Sequence, residues 1–190
     1  MQQDVQHYIN GVWVLLGFYW AVEALFAKPT VKRQSARSSA LHLLIGCAAG
    51  LLIWHPATAI GFLGDRIASA ANWVQWAGFA ATVGGCAFAV WARACLGSNW
   101  SAFVTVKHHH ELRVRGPYAV VRHPIYSGVL LALTGTAIAL GEIRAFMGLG
   151  LAVLAFCLKS ADEERLMREE FSGEYVRYSQ RVRRLIPFIL

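Results

Sequence analysis

Residues 124–160 read PIYSGVLLALTGTAIALGEIRAFMGLGLAVLAFCLKS, and this stretch decides the fold. It contains two apolar runs, residues 124–141 and 144–160, with only Glu142 and Ile143 between them. A helix needs about 20 mostly apolar residues to cross about 30 Å of hydrocarbon, and so short a connection leaves room only for a tight turn. The stretch therefore predicts a hairpin of two antiparallel transmembrane helices.

Three more apolar runs precede this hairpin, and they extend from Tyr8 to Ala27, from Ala40 to Gly64 and from Asn72 to Leu96. Of the 190 residues, 56% are hydrophobic and 15% are charged, which is more apolar material than a soluble core of this size requires. We therefore predict an all-α, polytopic membrane protein with about five transmembrane helices. No linker or repeat divides it, so residues 1–190 form a single domain, with three helices in residues 1–95 and a more polar region around the hairpin in residues 96–190.

The basic residues are divided unevenly between the loops that join these helices. Of the 18 Lys and Arg residues, 16 lie in or beside the loop after the first run, the loop after the third run, or the carboxyl-terminal segment, and the other two are Arg66 and Arg144. By the positive-inside rule, the carboxyl terminus and these loops are expected in the cytoplasm and the amino terminus outside. The net charge of +7 therefore indicates membrane topology and contact with anionic lipids, and not a nucleic-acid partner.

Two stretches on the expected cytoplasmic side, residues 96–123 and 161–190, are too polar to cross a membrane. The first leads into RGPYAVVRHPIYSG, where Pro124 favours the start of the fourth helix. The second begins ADEERLMREEF, which places Glu163 and Glu164 just beyond the lipid boundary and leads into an amphipathic carboxyl-terminal helix. Because the hairpin returns both segments to one interface, they form either a salt-bridge cluster among lipid headgroups or a pocket for a cationic ligand.

The segments HELRVRGPYAVVRHPIYSG, EERLM and FSGEYVRYSQRVRRLIPFIL, in this order, resemble the carboxyl-terminal half of the isoprenylcysteine carboxyl methyltransferases and the related phospholipid methyltransferases. The resemblance covers roughly residues 96–190. It implies an integral membrane enzyme that takes S-adenosylmethionine from the cytosol and methylates a lipophilic acceptor that arrives from the bilayer. The cofactor-binding residues that it implies are His110, Gly116, Pro117, Tyr118, His123, Pro124, Tyr126, Gly128, Glu163 and Glu164.

The chemistry of methyl transfer separates the possible acceptors. A carboxylate is ionised at neutral pH and needs no general base, whereas an amine would need one, for which His123 or a glutamate is the candidate. Arg122 or Arg93 could hold an acceptor carboxylate in a two-pronged contact. We expect O-methylation of an isoprenylcysteine-like carboxylate. The alternatives are N-methylation of a phospholipid amine, reduction of a sterol or enone with NADPH, and a non-catalytic lipid-binding role.

Two other polar features each have two interpretations. The consecutive residues His108, His109 and His110 could bind a metal, but neighbouring residues do not converge on one ion in regular structure, so we predict a solvated loop and no metal. Glu23 lies within the first apolar run, where it is either functional or a polar contact between helices.

Small residues repeat along the fourth helix at spacings of four, three and four, namely Gly128, Ala132, Gly135 and Ala139. This repeat puts them on one face, where another helix can approach closely. We expect the fifth helix to be that neighbour.

Overall fold

The computed structural model describes residues 2–26, 30–33, 36–97, 105–107, 112 and 114–187. Five α-helices account for most of this part of the chain: α1 (Gln2–Ala24), α2 (Ala36–Trp54), α3 (Asn72–Leu96), α4 (Pro124–Leu140) and α5 (Ile143–Arg181). Two short strands, β1 (Thr30–Arg33) and β2 (Thr105–Lys107), pair antiparallel. The predicted all-α class is confirmed, with this strand pair as a minor addition.

Among the described helices, three are long and apolar enough to cross a membrane, over Arg37–Trp54, Asn72–Leu96 and Ile143–Phe171. α4 is apolar but shorter, at 17 residues. Large apolar side chains also face outward, and Val14, Leu15 and Phe18 of α1 are each about 70% exposed. Contiguous exposed apolar surface of this kind suits lipid contact. Membrane crossing by α1 and α4 themselves stays a prediction.

The ends of α2 and α5 differ most from the predicted boundaries. α2 ends at Trp54 instead of continuing to Gly64, because Pro56 disfavours the helical conformation of the residue before it, and two 3-10 turns follow. α5 is 39 residues long and continues without a break beyond the predicted lipid boundary. The predicted amphipathic carboxyl-terminal helix is therefore the second half of α5 and not a separate element.

The small-residue face of α4 packs against α3, so the prediction that α5 would be its neighbour is wrong. A Cβ atom added to Gly78 of α3 would lie 2.6 Å from the carbonyl oxygen of Gly135, and one added to Gly128 would lie 2.7 Å from the amide nitrogen of Ala89. The physical reason is that α3 offers small residues at matching positions, which allows the two backbones to touch. α5 packs mainly along α2.

The predicted hairpin of α4 and α5 is present. Gly141 ends α4 in the left-handed conformation, with a φ of 73°, which glycine adopts without steric cost. Arg144 at the start of α5 donates hydrogen bonds to the carbonyl oxygens of Leu52 and Ile53, at 2.9 and 3.0 Å. These bonds satisfy the end of α2 and attach it to α5. The hairpin therefore brings the first residues of α4 beside the middle of α5.

Candidate functional site

The site is built around Glu164, whose side chain is only 1% exposed. Its Oε1 atom accepts from Nε and Nη2 of Arg122, at 2.9 and 2.7 Å. Arg184 makes the two-pronged contact, with Nε at 3.1 Å from Oε1 and Nη2 at 3.1 Å from Oε2. A buried carboxylate must be paired and hydrogen-bonded to be tolerated, and Glu164 meets this condition by joining α5, the start of α4 and the carboxyl-terminal segment.

Arg122 has all of its donor nitrogens engaged within the protein. Besides its two contacts with Glu164, its Nη1 atom donates to the carbonyl oxygen of Ser179 at 3.0 Å and to that of Val182. The side chain is 9% exposed. Binding of an acceptor carboxylate by Arg122 stays a prediction, and it would require these contacts to break.

His123 precedes α4 and lies between the two glutamates. Its Nδ1 atom is 3.2 Å from Oε2 of Glu163, and its Nε2 atom is 3.3 Å from Oε1 of Glu164. Burial alone would lower the pKa of His123, but the hydrogen bonds and charges of both carboxylates outweigh it and raise this pKa above its ordinary value. The two carboxylates therefore favour the protonated form of the imidazole.

Glu163 differs from its neighbour because 21% of its side chain is exposed. Tyr126 donates a hydrogen bond from its hydroxyl to Oε1 of Glu163. The ring of Tyr126 lies parallel to that of His123 at 5.5 Å and stacks on Phe156 at 4.7 Å between centroids. Glu163 is therefore held on one side by two aromatic groups and remains accessible on the other.

The carboxyl-terminal segment crosses the start of α4 and closes the site. The amide groups of Arg122 and His123 donate to the carbonyl oxygens of Arg183 and Arg184, at 2.7 and 3.0 Å, and Ser127 donates from its hydroxyl to Leu185 at 2.5 Å. This backbone pairing satisfies amides at the exposed end of α4. It fixes where Arg184 meets Glu164.

A 3-10 turn, Gly116–Ala119, forms another side of this region. Gly116 has a φ of 62°, a conformation that glycine adopts readily. Pro117 and Tyr118 are buried, and Tyr178 of α5 donates to the carbonyl oxygen of Tyr118 at 2.6 Å. Burial raises the pKa of the Tyr118 hydroxyl, so it stays protonated at neutral pH.

The structure brings most of the predicted site residues together, but not all of them. Gly128 lies in the contact with α3, so it admits a helix there and not a ligand. Arg93 is 1% exposed and pairs with Glu23 at 2.8 Å, and its Nη1 atom donates to Gly97 at 2.6 Å. The pairing gives Glu23 the role of a polar contact between helices. His110 lies outside the described residues, as do His108 and His109.

Sequence reasoning did not single out Arg184, Tyr178 or Lys159 as site residues. The RLIPF ending of the chain was part of the resemblance, and that was the available signal for Arg184. Lys159 has its Nζ atom 5.3 Å from the ring centroid of Tyr126, one helical turn before Glu163. Its position in the sequence does not distinguish Lys159 from the other basic residues of the carboxyl-terminal segment.

Comparison with known proteins gives a consistent result. Protein-S-isoprenylcysteine O-methyltransferase B of Arabidopsis thaliana is 33% identical over 84 residues, which are 44% of this chain and 43% of that protein. A probable protein-S-isoprenylcysteine O-methyltransferase of Oryza sativa subsp. indica is 36% identical over 81 residues, 42% of each. The chain thus matches less than half the length of these relatives. Residues 73–174, which contain α4, both glutamates of the site and all of α3 except Asn72, match the phospholipid methyltransferase family, and the chain belongs to this family.

Proposed function

We propose that the protein transfers a methyl group from S-adenosylmethionine to the carboxylate of a lipophilic acceptor of the isoprenylcysteine type. The observation that carries this proposal is the partly exposed carboxylate of Glu163, held by Tyr126 and His123 at the end of an apolar helical hairpin. Membership of a methyltransferase family and the names of the relatives support the reaction type. The acceptor is proposed by analogy with those relatives.

The chemistry of the site fits a cationic cofactor. S-adenosylmethionine, when bound, supplies an electrophilic methyl group on a positively charged sulfur. Glu163 offers a negative charge that is accessible from one side and attracts a positively charged sulfur. We propose that Glu163, Tyr126 and His123 hold the cofactor together with the turn Gly116–Ala119.

Arg122 and Glu164 act as positioning residues in this proposal. Their buried ion pair, at 2.7 Å, fixes the start of α4 against α5, and His123 is hydrogen-bonded on both sides as a result. Such a rigid frame limits the orientations available to the reactants and lowers the entropic barrier to the reaction. A bound methyl acceptor need not contact either residue.

The state of His123 favours a carboxylate over an amine as the acceptor. An amine must lose a proton during methylation and needs a base, whereas a carboxylate does not. Both ring nitrogens of His123 already face the carboxylates of Glu163 and Glu164, and these carboxylates raise its pKa above the ordinary value in spite of burial, so His123 is poorly placed to take a proton from an amine. The alternative, N-methylation of a phospholipid amine, is suggested by the description of the matching family.

An alkali test separates the two reactions. Purified protein in detergent is incubated with S-adenosylmethionine labelled in its methyl group and a membrane lipid extract. We expect label in a lipid product that mild alkali releases as volatile methanol, because methyl esters are hydrolysed and methylated amines are not. Alkali-stable label would favour the phospholipid amine, and binding of NADPH without binding of the methyl donor would replace the proposal with the reductase alternative.

The orientation of the site is proposed from the basic residues. The excess of Lys and Arg after the first, third and fifth apolar runs supports a cytoplasmic carboxyl terminus, where a soluble cofactor is available. Reporter fusions at Asp65 and Leu190 are expected to lie on opposite sides of the membrane. Two cytoplasmic reporters would contradict this topology.

A further inference from the structure

A cavity of about 440 Å³ lies between α2 and α5, with α1 and α4 completing its walls. Its volume is within the roughly 300–1,000 Å³ of ligand-binding pockets. Along α2 its lining extends from Ser39 to Trp54, a distance of about 22 Å at 1.5 Å per residue. The cavity is therefore long and narrow, and it follows the helix axes.

The two ends of this cavity differ in chemistry. Trp13, Ile53, Trp54 and Leu133 line one end, and Trp13 meets Trp54 edge to face at 5.3 Å between ring centroids. Ser39, His42 and Lys159 line the other end. Among the described residues that line the cavity, Lys159 supplies the fixed positive charge and none supplies a carboxylate. The lining therefore complements an amphiphile with an apolar chain and an anionic head.

The nearby carboxylate of Asp162 is bound by side chains of α2. Ser38 donates a hydrogen bond to Oδ2 of Asp162, and Nε2 of His42 lies 3.7 Å from the same atom. These contacts attach α2 to α5 at the polar end of the cavity. They also direct the negative charge of Asp162 toward α2.

The polar end adjoins the candidate site. Phe156 lines the cavity and stacks on Tyr126, which binds Glu163. Lys159 lines the cavity too, and its ammonium group lies over the same tyrosine ring. A head group bound at Lys159 would thus be next to the residues proposed to hold the methyl donor.

We propose that this cavity binds the methyl acceptor as a single apolar chain with an anionic carboxylate, and that Lys159 is the specificity-determining residue that binds the carboxylate. This inference rests on the proposed methyl transfer and adds the position of the acceptor to it. The glycine face of α2 sets the length of chain that fits, since Gly46 and Gly50 line the cavity and a Cβ atom on either would meet no atom within 4 Å.

The charge is tested with Lys159→Met and Lys159→Arg. The probe is N-acetyl-S-farnesylcysteine, and initial rates are measured at saturating methyl donor. We expect Lys159→Met to raise KM for the acceptor about tenfold, as for the loss of a hydrogen bond between charged groups, without weakening cofactor binding. Lys159→Arg keeps the charge and is expected to stay within about threefold of the parent. Equal acceptor KM values in the parent and Lys159→Met would overturn the assignment.

The cavity is tested with Gly50→Leu, and Gly84→Leu is the matched control. Gly84 is also a helical glycine whose added Cβ would meet no atom within 4 Å, but it is exposed on α3 and does not line the cavity. The probes are the farnesyl compound and its analogues with a shorter geranyl or a longer geranylgeranyl chain. We expect Gly50→Leu to shift the preference among acceptors about tenfold toward the geranyl probe, and Gly84→Leu to leave the order of preference unchanged. The same order of preference in both variants would place the chain elsewhere.

Failure of this inference is distinguishable from failure of the proposed function. Loss of methyl-donor binding in the unaltered protein contradicts the function itself. A different result would contradict only the choice of acceptor. In that case the donor binds and the farnesyl probe is methylated, but vesicles of phosphatidylethanolamine compete better than the probe, and Lys159→Met weakens only this competition. The cavity would then bind a phospholipid.

Discussion

We expect different effects when each of the adjacent residues Glu163 and Glu164 is changed to glutamine: Glu163→Gln should mainly weaken cofactor binding, and Glu164→Gln should mainly lower stability. Both substitutions remove one negative charge and keep the shape of the side chain. Glu164 is 1% exposed and is bound by three arginines and a histidine, whereas Glu163 is 21% exposed and is bound by Tyr126 and His123. The first change leaves buried positive charge without its partner, and the second removes an accessible charge.

The expected magnitudes follow from these contacts. Removing one partner of a buried ion pair costs about 3–5 kcal/mol, so Glu164→Gln should lower the free energy of unfolding by about 3 kcal/mol or more. A hydrogen bond to a charged group contributes about 1.5–3 kcal/mol. Glu163→Gln should therefore weaken the binding of S-adenosylmethionine roughly tenfold to hundredfold with a smaller loss of stability.

Two measurements on the same detergent-solubilised samples test this division. Thermal unfolding gives the stability of each variant, and calorimetric titration with S-adenosylmethionine gives its cofactor affinity. Glu170→Gln is the control, because Glu170 is an exposed acid on the same helix. Unchanged cofactor affinity in Glu163→Gln would refute the role of that carboxylate, and equal stability losses in both variants would refute the distinction between them.

Three further results are expected. Gly85→Leu should prevent stable packing of α3 on α4, because its Cβ atom would collide with the backbone of α4, whereas Gly84→Leu should unfold near the parent temperature; equal yields and melting temperatures would contradict the packing. Arg122→Lys should lower stability by about 2 kcal/mol and leave the acceptor KM unchanged, since its donors serve the protein; a selective rise in that KM would restore the acceptor-binding role. The pKa of His123 is raised above its ordinary 6.5, so its contribution to stability is complete below pH 6.5 and is lost as the pH rises through the higher pKa of the folded state. The unfolding temperature of the parent should therefore fall as the pH rises through this range, and that of His123→Asn should fall less.

The hairpin and the meeting of its ends could be predicted from the sequence because local rules determine them. The short connection at Glu142 forces α4 and α5 to be antiparallel, and helix geometry then places His123 beside Glu163 and Glu164. The end of α2 was predicted ten residues too far along the chain, at Gly64 instead of Trp54, because the apolar run continues past Pro56. Hydropathy alone does not show where a proline stops a helix.

The partner of α4 was predicted wrongly for a different reason. A repeat of small residues marks a face that can be approached closely, but it does not identify the helix that approaches. α3 carries Gly78, Thr82, Gly85 and Ala89 at the same spacings of four, three and four as the α4 repeat. The match between the two repeats is visible in the sequence and indicates that α3 is the neighbour. The short connection between α4 and α5 favoured α5 instead.

The roles of the arginines depend on contacts that no local pattern encodes. Arg122 and Arg184 are far apart in sequence, and both bind Glu164 because the carboxyl-terminal segment pairs with the start of α4. Once this pairing forms, the donor nitrogens of Arg122 are engaged within the protein. We therefore propose a separate cation, Lys159, for the acceptor carboxylate, because Lys159 lines the cavity and lies over the ring of Tyr126. In this proposal, different basic residues of the helical hairpin and its extension hold the start of α4 and bind the acceptor.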